Sequence, residues 1–159
     1  MKSNSSIYSD LIKSIRTVEE SNELSSEIDT LLEALFKTQG KSFEIALEKI
    51  GIKTSQILKA IFLKNNLDLG NLEFVKDFLE KLKAELTKLK IIKLTIAFEP
   101  SFQTVEHIYN WVETNLETGF ILDLSWDETI IGGISIAFNG KYQELTLRKT
   151  LETFLQANQ

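Results

Sequence analysis

Ile91-Ile92-Lys93-Leu94-Thr95-Ile96-Ala97-Phe98 is where the sequence changes its grammar. The stretch is rich in β-branched residues and alternates in its second half, as a strand does. Pro100 ends it, and Ser101 is placed to cap a helix carrying Phe102, Val105, Ile108, Val112 and Leu116. Gly119 is that helix's stop, and Phe120-Ile121-Leu122-Asp123-Leu124-Ser125-Trp126 follows as a second strand. Ile130–Phe138 reads as a third. Asn139-Gly140 is a strong hairpin signal because both residues tolerate the positive φ of a tight primed turn. The returning strand is Lys141-Tyr142-Gln143-Glu144-Leu145, and Thr146 opens a last helix with Leu147, Leu151, Phe154 and Leu155. The expected order is strand, helix, strand, strand, strand, helix.

Upstream of residue 91 the period is helical throughout. Ile7, Leu11, Ile15 and Val18 share one helical face, and Leu24, Ile28, Leu31 and Leu35 share another. The polar run Glu19-Glu20-Ser21-Asn22-Glu23 between them is either a break or the solvated part of one long helix. Gly40 reads as a C-cap, a short helix covers Phe43–Ile50, and Gly51 closes it. Thr54 or Ser55 caps a further helix over Ile57–Lys64. From Asn71 to Lys90, Leu72, Val75, Leu79, Leu82, Leu86 and Leu89 follow alternating intervals of 3 and 4, the period of a coiled-coil seam. Phe74 and Phe78 widen that face, and sustained heptads usually run longer than this, so packing inside the protein's own bundle is favoured over an intermolecular coiled coil. The fold class is therefore α+β. An all-α helical bundle (1–90) precedes a small α/β domain (91–159), with no Gly, Ser or Pro cluster between them.

Composition narrows the chemistry. The 159 residues include one histidine and no cysteine, which removes disulfides, thiolate metal sites and cysteine nucleophiles together. The start, Met1-Lys2-Ser3-Asn4-Ser5-Ser6, has no apolar core of a signal peptide, and no apolar run is long enough to span a bilayer. A soluble, intracellular protein without membrane insertion is expected. Residues 1–90 carry 14 basic and 14 acidic groups, whereas residues 91–159 carry four basic and nine acidic. The whole net charge of −5 thus belongs to the second part. A module so short of cations disfavours nucleic acid as a partner.

The search for a reactive site finds little. His107 lies on an amphipathic helix, where a lone histidine is ordinarily a surface or boundary residue. Asp123, Asp127 and Glu128 gather near one strand end, a pattern open to acid/base or metal chemistry, yet strand alternation turns Asp123 to solvent. Gly132-Gly133 stands at the start of a strand rather than a helix, and neither dinucleotide nor P-loop spacing is present. No cofactor, metal or small-molecule substrate is indicated.

The segment from Ile91 to Leu155 resembles the C-terminal domain of the delta subunit of F-type ATP synthases, the counterpart of the mitochondrial oligomycin-sensitivity-conferring protein. The family marker is an acid, two residues, an aliphatic pair, then Gly-Gly and an alternating strand. It stands here as Asp127-Glu128-Thr129-Ile130-Ile131-Gly132-Gly133-Ile134-Ser135-Ile136. Glu144, Thr146, Leu147 and Leu151 look like the positions that follow it, while Trp126 and Ala137 depart from the pattern. Over residues 1–90 the resemblance is looser. The family opens its six-helix bundle with a tyrosine-containing apolar helix, similar to Ile7-Tyr8-Ser9-Asp10-Leu11-Ile12.

The resemblance implies a non-catalytic stator subunit of the peripheral stalk, working in a complex that couples proton transport to ATP synthesis. In the family the N-terminal bundle receives the N-terminal helices of alpha subunits, and the C-terminal domain holds the C-terminal end of the b subunit. It further implies a peripheral location on the cytoplasmic face of the cell membrane. Helix-in-groove binding uses apolar anchors at spacings of 3 and 4. The candidates are Tyr8, Leu11, Ile12 and Ile15 on the first helix and Phe74 and Phe78 before the boundary. Tyr109 and Trp111 are the aromatic candidates in the C-terminal domain, and Asp127, Ile130, Gly132 and Gly133 carry the family motif. Two rival readings are a stand-alone intracellular adaptor and a small α+β enzyme using the acids around Asp127.

Overall fold

The structure, a computed structural model, describes residues 5–37, 43–115 and 119–146. Their contacts group 5–15 with 19–89 as one compact unit, and 16–18 with 90–146 as another. The architecture is α+β: a helix-rich unit and a unit built on a four-stranded mixed sheet.

The helical unit comprises α1 (Ser5–Ile12), α2 (Val18–Lys37), α3 (Phe43–Leu47), α4 (Ile52–Lys64) and α5 (Leu72–Leu86). Asn71 caps α5, its side-chain oxygen accepting the Phe74 N–H at 3.1 Å. The apolar stripe of α5 faces inward: Val75, Phe78, Leu79, Leu82 and Leu86 are all buried. The heptad-like seam is thus satisfied within the unit. Rings tie four elements together. Tyr8 lies 5.1 Å from Phe78, Phe78 lies 4.9 Å edge-on to Phe62, and Phe62 lies 5.6 Å from Phe43. Such pairs add about 0.5–1.5 kcal/mol each beyond area burial.

Several expectations change. The polar run 19–23 is helical, and the break falls earlier, at residues 13–17. There the Ser14 hydroxyl donates to the Leu11 carbonyl at 2.6 Å, and Thr17 leaves the helix altogether. The fourth helix begins at Ile52, not near Ile57, and neither Thr54 nor Ser55 caps it. Its opening N–H, that of Gly51, is taken by a Glu27 carboxylate oxygen of α2 at 2.7 Å. The third strand starts at Gly133 because residues 127–132 form a turn. Thr146, expected to open the last helix, instead closes the last strand, while Gly40, Leu116 and the rest of that helix lie outside the described residues.

The second unit contains β1 (Lys90–Ile96), α6 (Phe102–Asn115), β2 (Phe120–Trp126), β3 (Gly133–Phe138) and β4 (Lys141–Thr146). The strand order is β2-β1-β3-β4, with β1 parallel to β2 and the other pairs antiparallel. The parallel pair requires a crossover, which α6 supplies. Ser101 caps α6 as expected, accepting the Thr104 N–H at 3.2 Å. Asn139 and Gly140 take φ of 49° and 72°, the primed turn their pairing predicts. On one face of the sheet Ile92, Leu94, Phe120 and Leu122 pack with Tyr109 and Val112 of α6.

Residues 16–18 complete this unit. Thr17 pairs in parallel with Leu122 on the side of β2 away from β1, and the Leu122 N–H donates to the Arg16 carbonyl at 2.8 Å. The Arg16 guanidinium reaches Glu106 at 3.1 Å and lies 5.5 Å from the Phe102 ring centre. The Thr17 pairing and the Arg16 carbonyl occupy a strand edge that would otherwise be open, and the Arg16 guanidinium ties the segment to α6.

Candidate protein-binding surfaces

A cavity of about 150 Å³ opens in the helical unit between α1, the start of α2 and the start of α4. Leu11, Ile15, Leu24 and Ile57 supply apolar walls, while Glu20, Glu23 and Glu27 outnumber Lys53, which lies 3.9 Å from Glu20, and leave one side acidic. Ile52 stands at its edge, 76% exposed. Glu27 is the pivot of the site. One carboxylate oxygen caps α4, and the other is buried without a hydrogen-bond partner. A Cβ at position 51 would sit 2.6 Å from that capping oxygen, so glycine permits the close approach.

Several sequence-predicted anchors have gone inward. Tyr8, Leu11, Ile15 and Phe78 are 8%, 2%, 3% and 3% exposed, so the core of the helical unit accounts for them. Alternation of 3 and 4 marks an apolar face but does not say whether its own bundle or a partner covers it. Ile12 is half-buried, and Phe74 keeps 37% of its surface in solvent. Burial pushes the Tyr8 hydroxyl above the usual phenol range; the Lys81 ammonium opposes this, and Asp77 and Glu85 reinforce it. Phe78→Ala is expected to destabilise the unit by about 3–5 kcal/mol, against less than about 1 kcal/mol for Phe74→Ala. Thermal melts of the two variants check this, and equal losses would contradict the placement.

In the second unit Tyr109 is buried against the sheet, whereas Trp111, two residues on, is 60% exposed. The motif residues form the connection from β2 to β3. One Asp127 oxygen accepts both the Thr129 N–H, at 2.9 Å, and the Thr129 hydroxyl, at 2.7 Å. The hydroxyl bond, then the backbone bond, holds this carboxyl below the usual carboxylate range. Ile130 donates its N–H to the Asp127 carbonyl, and Gly132 to that of Ile130. Gly132 and Gly133 take φ of 58° and 114°, and the second value is open to glycine alone. The motif is thus a backbone device that turns the chain into β3. Asp123 faces elsewhere in its pairing, with Lys93 at 3.6 Å. His107 is exposed on α6. Among the described residues no three of His, Asp and Glu gather as metal ligands, and no helix is long and apolar enough to cross a membrane.

Two features escaped the sequence reading. Glu27 sits 24 residues from the helix start it caps, and no local pattern encodes that distance. The pairing of residues 16–18 spans more than a hundred residues; only the β-branched Thr17 within a stretch read as helix hinted at it.

The fold and its surfaces define a helical unit with an apolar groove joined to a mixed-sheet unit whose marker motif is structural. The family description "ATP synthase delta (OSCP) subunit" matches residues 2–157, and the chain belongs to that family. The match reaches through the N-terminal helices, where the resemblance was loose. Among solved structures, a chain of the Toxoplasma gondii mitochondrial ATP synthase hexamer aligns with 96% of this chain and 93% of its own length, at 10% identity and a TM-score of 0.36. No curated protein matches the chain.

Proposed function

We propose that this chain is the peripheral-stalk stator subunit of an ATP synthase, joining the catalytic head to the b subunit during rotary catalysis without chemistry of its own. The observation that carries the reading is family membership across residues 2–157. In this reading the chain divides near residue 90 into a head-binding and a stalk-binding domain. The complex stands on the cytoplasmic face of the membrane, with this subunit peripheral to it. The groove between α1, α2 and α4 suits an amphipathic N-terminal helix of an alpha subunit, since it joins apolar walls to an acidic side. Ile12 and Phe74 are the remaining first-unit anchors, and Trp111 is the candidate facing the b subunit.

Purification of the tagged chain from its native cell tests the assembly. Alpha and b subunits are expected to co-purify, and an intact ATP synthase recovered without this chain overturns the proposal. The groove is tested by Ile52→Glu, which alters an exposed residue and leaves the core untouched. Binding of an alpha N-terminal peptide is expected to weaken about tenfold or more, the effect of removing an interface anchor. Unchanged affinity would move the alpha site elsewhere.

A further inference from the structure

We propose that the cavity between α1, α2 and α4 takes one lysine side chain of the partner helix, whose ammonium donates to the second carboxylate oxygen of Glu27. The inference rests on reading that groove as the alpha-binding site, and it names the contact that selects the partner.

Glu27 carries the argument. It lines the cavity, and its Oε1 accepts the Gly51 N–H at 2.7 Å, while its Oε2 is buried with no hydrogen-bond partner. A buried carboxylate oxygen is ordinarily satisfied, because otherwise nothing replaces the hydration it has lost. Two donors on the same wall are committed elsewhere. The Ser14 hydroxyl donates to the Leu11 carbonyl at 2.6 Å, and the Lys53 ammonium lies 3.9 Å from Glu20 on a side chain that is 75% exposed. The donor that Oε2 calls for is one the described chain does not supply.

Size and lining select that donor. At about 150 Å³ the cavity is too small for a helix and suits a single guest, as a dry cavity of that size suits one benzene ring. Leu11, Ile15, Leu24 and Ile57 line it with hydrocarbon, which fits a methylene stem that carries its charge at the far end. The sign of the charge follows from the rim. Three carboxylates, those of Glu20, Glu23 and Glu27, stand against the single cation Lys53, so an anionic guest is repelled. The open oxygen then separates the two long cations. A guanidinium gains most from a carboxylate by engaging both oxygens, and Gly51 already holds one of them. An ammonium is a point charge and needs only the other.

The test uses the full-length chain and the N-terminal peptide of the alpha subunit from the same cell. Each peptide lysine is replaced in turn by norleucine, which keeps the stem and removes the ammonium. One replacement is expected to weaken binding about tenfold, the effect of losing a charge-assisted hydrogen bond. Arginine at that position is expected to bind about threefold more weakly than lysine. Glu27→Gln keeps an oxygen for the Gly51 N–H and should weaken the native peptide about tenfold, while the norleucine peptide binds both chains alike. On the unaltered chain the Gly51 amide NMR signal reports on Glu27 directly. It is expected to move further with the native peptide than with the norleucine one, which locates the contact even where Glu27→Gln fails to fold. A binding peptide without lysine, affinity indifferent to every norleucine, tighter binding of arginine, additive losses in the Glu27→Gln cycle, or equal Gly51 shifts overturns the contact. Each of those results leaves the groove reading standing, whereas a native peptide that does not bind at all removes both.

Discussion

Phe62→Ala is expected to be among the most damaging single changes in the helical unit, lowering its unfolding free energy by about 3–5 kcal/mol. Phe62 is 0% exposed on α4 and touches Phe78 of α5 and Phe43 of α3 through its ring. Truncation removes both ring contacts together with the burial of the side chain itself, and the rigid neighbours cannot close the gap. Small domains hold only about 5–15 kcal/mol in total, so the loss leaves little margin. Urea unfolding followed by helical circular dichroism measures it. Trp111 and Trp126, both in the other unit, report on that unit separately by fluorescence. A change below about 1 kcal/mol would mean that the four-ring stack is not closed around Phe62.

Leu122→Ala is the corresponding change in the second unit, with an expected cost of about 2–5 kcal/mol. Leu122 is 0% exposed at the middle of β2, opposite Ile92 of β1 and inside the cluster that α6 covers. Its N–H is also the donor to Arg16, so the variant leaves that bond in place and isolates the packing loss. Here the tryptophan signal is expected to shift to lower denaturant. A shift confined to the helical signal would contradict the assignment of Leu122 to the sheet core.

Much of the second unit was legible because its signals are local. A hairpin turn needs two residues of positive φ, and Asn139-Gly140 supplies them; a helix start needs a side-chain acceptor, and Ser101 supplies it. The helical unit was harder. At about 100° per residue, the Ile7, Leu11, Ile15 set and the Leu24, Ile28, Leu31 set point roughly 130° apart, so one straight helix cannot bury both. A break is therefore required, but its place is not locally encoded. The polar run 19–23 was open to either reading, and Arg16 and Thr17 find partners in β2 and α6 and draw the break to themselves. The surfaces were least legible. Tyr8, Leu11, Ile15, Phe78 and Tyr109 carry the pattern of anchors, but burial decides between core and partner, and burial belongs to the assembled fold. Trp111 differs from Tyr109 in the side of the helix it occupies, whereas Phe74 lies one turn before Phe78 on nearly the same side and is more exposed at the start of α5.

The three residues that leave the helical unit have a bearing on any attempt to study the units apart. A fragment beginning at Lys90 would contain every strand of the sheet and still be incomplete, because the outer side of β2 would lose Arg16 and Thr17. Its Leu122 N–H would be left unpaired on a bared strand edge, an invitation to self-association. Supplying a short peptide spanning residues 13–19 would offer that edge its native neighbour. Severing this protein cleanly takes three cuts in the chain, not one.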